Sequence, residues 1–342
     1  MRPIRIGIMG FGAVGRQIYQ LALERGGFDV PVVSDIGAPD ILHQLLLRDL
    51  EEHECTINGN VLSNARFSTR MLRTDHPREV PWDAFAVDAV VDATGRFRTR
   101  ADMQAHLDNG APRVLLAVLP NEPLDRFVIP GINEYAAQAT DRMLSAGSAT
   151  TAAMALMLKA IGDRFPIAHA SMTSVHAYTS DMSLQDYAGP DYRRSRSGAE
   201  NIIPNSSEAP RWVETVMPQF AGKLCGYALN VPVQKGSLLD LNIVFEQTNV
   251  SVADVNAAVI EASERLPALI AIALDPIVSS DVIGCPQSVL FDTQATMRAG
   301  KRIVKVLGWY ETRGHANRVL DVLMAYAKLD QTLAPVQAGS AA

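Results

Sequence analysis

The hydrophobic pattern opens with IRIGIM at 4–9, a short apolar run that reads as a buried strand. A glycine-rich turn follows, and RQIYQLALERG beyond it places its apolar residues at helical spacing. FDVPVVSD, FAVDAVVDATG and RVLLAVL predict further strands, with RADMQAHLDNG as a helix between the last two. Strands alternating with helices predict a parallel sheet covered on both faces. After about residue 148 the texture changes. SATTAAMALMLKAIGDRF is a long helical run, and the strands after it (IAHASMTSVHAYT, GKLCGYALNVPV, SLLDLNIVFEQ, SVLFDTQATMR, RIVKVLGWYE) are longer and closer to alternating. That pattern predicts a mixed, mostly antiparallel sheet with a layer of helices. HANRVLDVLMAYAKL predicts a last amphipathic helix, and PVQAGSAA a frayed tail.

Composition narrows the picture. With 342 residues, 48% hydrophobic and 20% charged, the chain can bury two cores. Its 31 basic against 37 acidic residues give a net charge of −6, which argues against a nucleic-acid-binding surface. No apolar run is long enough for a membrane span, and the first residues lack a signal-peptide pattern, so the expected address is the cytoplasm. Three dispersed cysteines, Cys55, Cys225 and Cys285, exclude a disulfide framework and a thiolate metal cluster. The histidines His43, His53, His76, His106, His169 and His315 show no metal-ligand spacing and read as surface or packing residues.

The first chemical signal is Gly10-Phe11-Gly12-Ala13-Val14-Gly15, a GxGxxG sequence between a strand and a helix. Glycines there permit a tight turn and close approach of backbone to a pyrophosphate, which then faces the free N–H groups of the helix. Asp35 closes the second strand, where a carboxylate can bind a ribose 2′-hydroxyl and repel a 2′-phosphate, favouring NAD over NADP.

Blocks spread through the whole chain resemble the phosphorylating glyceraldehyde-3-phosphate dehydrogenase family: IRIGIMGFGAVGR, VVDATGRFRTR, VIPGIN, SVHAYTSD, RRSRSGAENIIPNSS and TQATM with IVKVLGWYE. The resemblance implies an α/β chain with two domains. Residues 1–148 would form a Rossmann NAD-binding domain completed by the C-terminal helix 315–330, and residues 149–314 an α+β catalytic domain. It also implies a small-molecule substrate, NAD contacts from Thr94, Gly95 and Thr312, and a homotetramer.

The family's chemistry uses a cysteine thiolate, activated by histidine, to attack an aldehyde and carry a thioester. Here that motif reads Ser148-Ala149-Thr150-Thr151, so Ala149 stands at the nucleophile's position. The histidine matches His176. Asn230 stands where the family has an arginine for substrate phosphate, Glu208 replaces a loop glycine, Thr312 an asparagine and Met9 another asparagine. Ser148, Thr150, Thr179, Asp181, Arg196 and Ser207 match positions that bind anions in the family, although Ser148 alone reads as a helix cap and Arg193, Arg194 and Arg196 as a solvated run.

His176 is open to two readings, a packed core histidine or a general base near neutral pH. At the level of function three readings stay open. One is an NAD-dependent oxidoreductase acting without a thioester on a small hydroxylated or aldehydic, anionic compound. Another is a non-catalytic NAD-binding homologue, a sensor or assembly partner. The third is a phosphorylating enzyme disarmed by an engineered change at Ala149.

Overall fold

The computed structural model describes residues 2–49, 55–179 and 182–333. Asp181, His53 and the tail PVQAGSAA lie outside the described residues. The chain divides into two compact units, one of residues 1–128, 133–146 and 318–342, the other of residues 129–132 and 147–317.

In chain order the elements are β1 (Ile4–Met9), α1 (Ala13–Arg25), β2 (Phe28–Asp35), α2 (Pro39–Asp49), β3 (Thr56–Asn58), β4 (Val61–Ser63), β5 (Ser68–Arg73), β6 (Ala89–Asp92), α3 (Arg100–Asp108), β7 (Val114–Leu116), β8 (Arg126–Phe127) and β9 (Met143–Ser145). They build a nine-stranded sheet in the order β3-β4-β5-β2-β1-β6-β7-β9-β8. The pairs β3/β4 and β4/β5 are antiparallel and the rest parallel. The chain leaves β1 for β2 on one side and returns to β6 on the other, so the sheet has its topological switch point at the carboxyl end of β1, beside Gly10.

Burial on both faces explains the sequence pattern. Ile6 and Ile8 on β1, Val32 and Val33 on β2 and Val90 and Val91 on β6 are all fully enclosed. Met9, Val32, Trp82, Val90, Met103, Val114 and Met143 join one hydrophobic cluster. The predicted strand FDVPVVSD coincides with β2, whereas the strand-like runs at 85–95 and 113–119 shrink to β6 and β7 because their flanks are turns.

The second unit contains α4 (Ala149–Gly162), β10 (Ile167–Ala177), β11 (Ile203–Ser206), α5 (Ala209–Val216), β12 (Leu224–Val231), β13 (Ser237–Phe245), α6 (Val252–Arg265), β14 (Ile270–Ala273), β15 (Val289–Ala299) and β16 (Ile303–Tyr310). Its sheet runs β11-β12-β10-β13-β16-β15-β14, with β10/β12 and β14/β15 parallel and the other four pairs antiparallel. One face is covered: Met172 and Ser174 on β10, Leu239 and Leu241 on β13 and Val304 and Val306 on β16 are buried. α4 is apolar almost all round, which suits a helix enclosed on several sides.

The last helix, α7 (Thr312–Leu333), begins three residues before the predicted HANRVLDVLMAYAKL. Arg113 donates to Asp330 on α7 and stacks over Tyr326, whose hydroxyl donates to the buried Asp141. Among the described residues no helix is long and apolar enough to cross a membrane, and no cluster of histidine, cysteine and carboxylate side chains could hold a metal ion.

Candidate functional site

The turn after β1 is built around two glycines whose hydrogen is indispensable. Gly10 has φ +88°, and a Cβ on it would lie 2.7 Å from the Thr94 amide nitrogen. A Cβ on Gly15 would collide with the Gly10 carbonyl oxygen, so α1 packs against the turn only because position 15 has no side chain. Gly12 differs. Nothing lies within 4 Å of where its Cβ would be, and it caps α1 without a side-chain bond. That open space over a helix N-terminus is the shape and polarity a pyrophosphate needs.

Asp35 is held in place by the turn it serves. Its Oδ2 accepts from the Phe11 N–H at 2.6 Å and its Oδ1 from the Gly37 N–H at 2.8 Å. Each oxygen keeps a lone pair for a ribose hydroxyl. The Phe11 side chain is buried edge-on against Tyr19, so Phe11 offers the turn only its backbone; Ala13 is exposed and Val14 half-buried.

Thr94 and Gly95 follow β6. The Thr94 N–H and hydroxyl both donate to Asp92 Oδ1, at 2.9 and 2.6 Å, and Gly95 takes φ +70°. Asp92 Oδ2 lies 3.1 Å from His106 Nε2, both residues fully buried. This anchor pair carried no motif in the sequence and joins residues fourteen apart. The other histidines are packing or surface groups: His43 lies against the Cys55 carbonyl, His76 accepts from the Arg78 N–H, His315 is buried and His169 exposed.

The second site lies in the other unit, where the covered face of its sheet meets the start of α4. Ser148 is the N-cap of α4, its Oγ accepting from the Thr151 N–H at 3.2 Å and lying 2.7 Å from Thr151 Oγ1. Ala149 is the first helical residue. Thr150 Oγ1 is 3.3 Å from His176 Nε2 and 2.9 Å from Tyr310 Oη, and Tyr310 Oη is 2.5 Å from Ser174 Oγ. The rings of His176 and Tyr310 meet edge to face at 5.9 Å. Burial pushes the His176 imidazole down to about 4 and the Tyr310 phenol up to about 12. Both are neutral at physiological pH. His176 thus keeps one unprotonated ring nitrogen, but it titrates well below the neutral range expected from its type.

Asn230 pairs in register with His176 across the parallel strands β10 and β12, so the two side chains share a face. It is 8% exposed, and its Oδ1 is enclosed without a hydrogen-bond partner. An unpaired buried acceptor costs about 1–3 kcal/mol.

Most of the other described candidates bond to partners of their own. Arg196 is exposed and engaged by Asp186 at 2.9 Å, as the solvated-run reading expected. Arg193 and Arg194 are also exposed, their N–H groups donating to Asp191. Thr179 is exposed, its carbonyl accepting from the Met182 N–H. Ser207 accepts from the Ala209 N–H at 3.4 Å at the start of α5, and the neighbouring Glu208 pairs with Arg211 on the surface. Thr312 is the half-buried first residue of α7. Tyr310 and Ser174 went unnoticed as site residues. Their only signal is the period-2 alternation that puts them on the covered face, since their partners are 134 to 160 residues away or on other strands.

None of the three cysteines bonds to His176. Cys55 belongs to the other unit, Cys225 lies on β12 an odd number of residues from Asn230 and hence on the opposite face, and the Cys285 thiol donates to Gln287 and is raised by burial.

A mostly parallel sheet with a glycine turn at its switch point, in a chain that also folds a mixed sheet with a histidine pocket, defines a two-unit dinucleotide-dependent oxidoreductase architecture. Residues 4–100 match the sequence model of the glyceraldehyde 3-phosphate dehydrogenase NAD binding domain, and residues 148–312 that of its C-terminal domain. Glyceraldehyde-3-phosphate dehydrogenase 2 of Streptomyces avermitilis is 36% identical over 327 residues, covering 93% of this chain and 97% of its own. Glyceraldehyde-3-phosphate dehydrogenase 1 of Bacillus subtilis is 36% identical over 332 residues (95% and 98%), and the Mycobacterium tuberculosis enzyme 37% over 339 (95% and 99%). The chain belongs to the glyceraldehyde-3-phosphate dehydrogenase family of NAD-dependent oxidoreductases. Its cofactor is NAD.

Proposed function

We propose that this protein is an NAD-dependent oxidoreductase that works without a thioester intermediate on a small hydroxylated or aldehydic, anionic compound. The observation that carries the reading is a neutral His176, hydrogen-bonded to Thr150, beside an Ala149 that has no nucleophile. Bound NAD supplies the hydride acceptor. Gly10 through Gly15, Asp35, Thr94, Gly95 and Thr312 are assigned to hold it.

His176 takes the proton from a substrate hydroxyl or from a water adding to an aldehyde. Thr150 and Tyr310 fix its ring, and Ser174 fixes Tyr310 in turn. The α4 N-terminus at Ser148 and Thr150 suits a carboxylate or similar anion, with Thr179, Asp181, Arg196 and Ser207 as further contacts in the family's manner. Departures at Asn230, Glu208, Thr312 and Met9 support natural divergence of the pocket over an engineered change at Ala149 alone. Three free thiols support a cytoplasmic address. Assembly as a homotetramer is assigned from the family resemblance and is checked by sedimentation.

The test is NADH formation from hydroxy acids, polyols and aldehydes. Turnover that falls about 10²–10⁴-fold in His176→Ala is expected. Ala149→Cys gaining phosphate-dependent oxidation of glyceraldehyde 3-phosphate would instead identify a disarmed phosphorylating enzyme. A second reading, a non-catalytic NAD-binding homologue, is favoured by the low proton affinity of His176 and predicts tight NAD binding with no turnover.

A further inference from the structure

One polar atom on the His176 face stands apart from the hydrogen-bond network. Ser174, Tyr310, Thr150 and His176 satisfy one another, whereas Asn230 Oδ1 is enclosed and, among the described residues, accepts from no donor. Its residue is more than nine-tenths buried and in register with His176 on the neighbouring strand. Buried acceptors are almost always paired, and one left open beside a reactive group asks for a donor from a ligand.

The chemistry of that donor is restricted. A carboxamide oxygen accepts and cannot donate, so it attracts a hydroxyl and repels a phosphate oxygen. The groups hydrogen-bonded in the neighbouring His176 network are neutral: hydroxyls on Thr150 and Ser174, a phenol on Tyr310 and an uncharged imidazole. None of them compensates a phosphate dianion.

We infer that Asn230 Oδ1 accepts a hydrogen bond from a hydroxyl group of the substrate held over His176, so that this subsite selects a hydroxyl-ended compound against its phosphate ester. The inference rests on the His176 pocket being the substrate site, and it holds for a ligand bound without turnover.

The experiment is calorimetric titration of the full chain, loaded with NAD, with glycerate and with 3-phosphoglycerate. Wild type is expected to bind glycerate at least about tenfold more tightly. Asn230→Asp keeps that preference, because a carboxylate also accepts from a hydroxyl and repels phosphate more strongly; Asn230→Leu loses it. Without ligand, Asn230→Leu melts no lower than wild type, since it removes an unpaired acceptor, whereas an asparagine with a purely structural role would lower the melting temperature when replaced. Equal or tighter binding of the phosphate ester, no binding of glycerate, or an unchanged preference in Asn230→Leu each overturns the inference. Preference without any turnover refutes the proposed oxidoreductase activity and leaves the inference standing; turnover without preference does the reverse.

Discussion

The glycine turn at the end of β1 and the pocket at the start of α4, each at a helix N-terminus, are built by opposite means. At the turn the work is done by what is missing. Gly10, Gly12 and Gly15 leave room for a backbone path and for a ligand, and Asp35 reaches them across one strand. The pocket is instead filled, by an imidazole, a phenol and two hydroxyls drawn from α4, β10 and β16. An absent side chain is a local property; a filled pocket depends on several distant segments arriving in register.

The contrast can be broken where it is sharpest. Gly15→Ala should destabilise the first unit by roughly 1–3 kcal/mol and abolish measurable NAD binding, because its methyl group displaces the Gly10 carbonyl. Thermal melting and NAD titration check this, and a variant that binds NAD normally would show that the close approach of α1 is dispensable.

The pocket carries an acid response of its own. Burial lowers His176 from 6.5 to about 4, so the unfolded chain binds a proton in that window that the folded chain refuses. Stability therefore falls as pH drops from about 6.5 towards 4, by at most about 3 kcal/mol from this residue. His176→Gln should flatten that part of the profile in denaturant melts at stepped pH. An unaltered slope would mean that the imidazole is not buried in its neutral form.

Asp35→Ala removes the acceptor for the Phe11 N–H as well as the proposed ribose contact. NAD affinity should fall about tenfold, worth about 1.4 kcal/mol, and discrimination against NADP should narrow; fluorescence titration with both cofactors reads the ratio. The smallest effect is at the cap: Ser148→Ala should cost about 1 kcal/mol in melting experiments. A larger loss of ligand affinity than of stability would show that the hydroxyl binds substrate in addition to capping.

How much was legible follows the same division. β1, the turn, α1, β2 and Asp35 form one uninterrupted stretch of sequence, and period, glycine spacing and carboxylate position are all local signals. The strand FDVPVVSD was readable because both its faces are buried. The boundary of α7 was less so, since Thr312, Arg313 and Gly314 continue a helix whose apolar pattern begins only at His315. The Asp92–His106 pair and the short strands β3, β4, β8 and β9 gave no pattern long enough to read.

His176 and Ala149 were nameable from matched motifs, but their environment was not. The residue types are local facts: no thiol at 149, an imidazole at 176, an amide at 230. Only the folded sheet decided that Tyr310 and Thr150 bond to that imidazole, that burial keeps it neutral, that Arg196 is held by Asp186 instead, and that Asn230 Oδ1 is left open. The physical reason is that a glycine's permissiveness and a motif's spacing are carried by the chain itself. Desolvation and hydrogen-bond satisfaction belong to the neighbours, and those are set by strand register and helix packing over more than a hundred residues of separation.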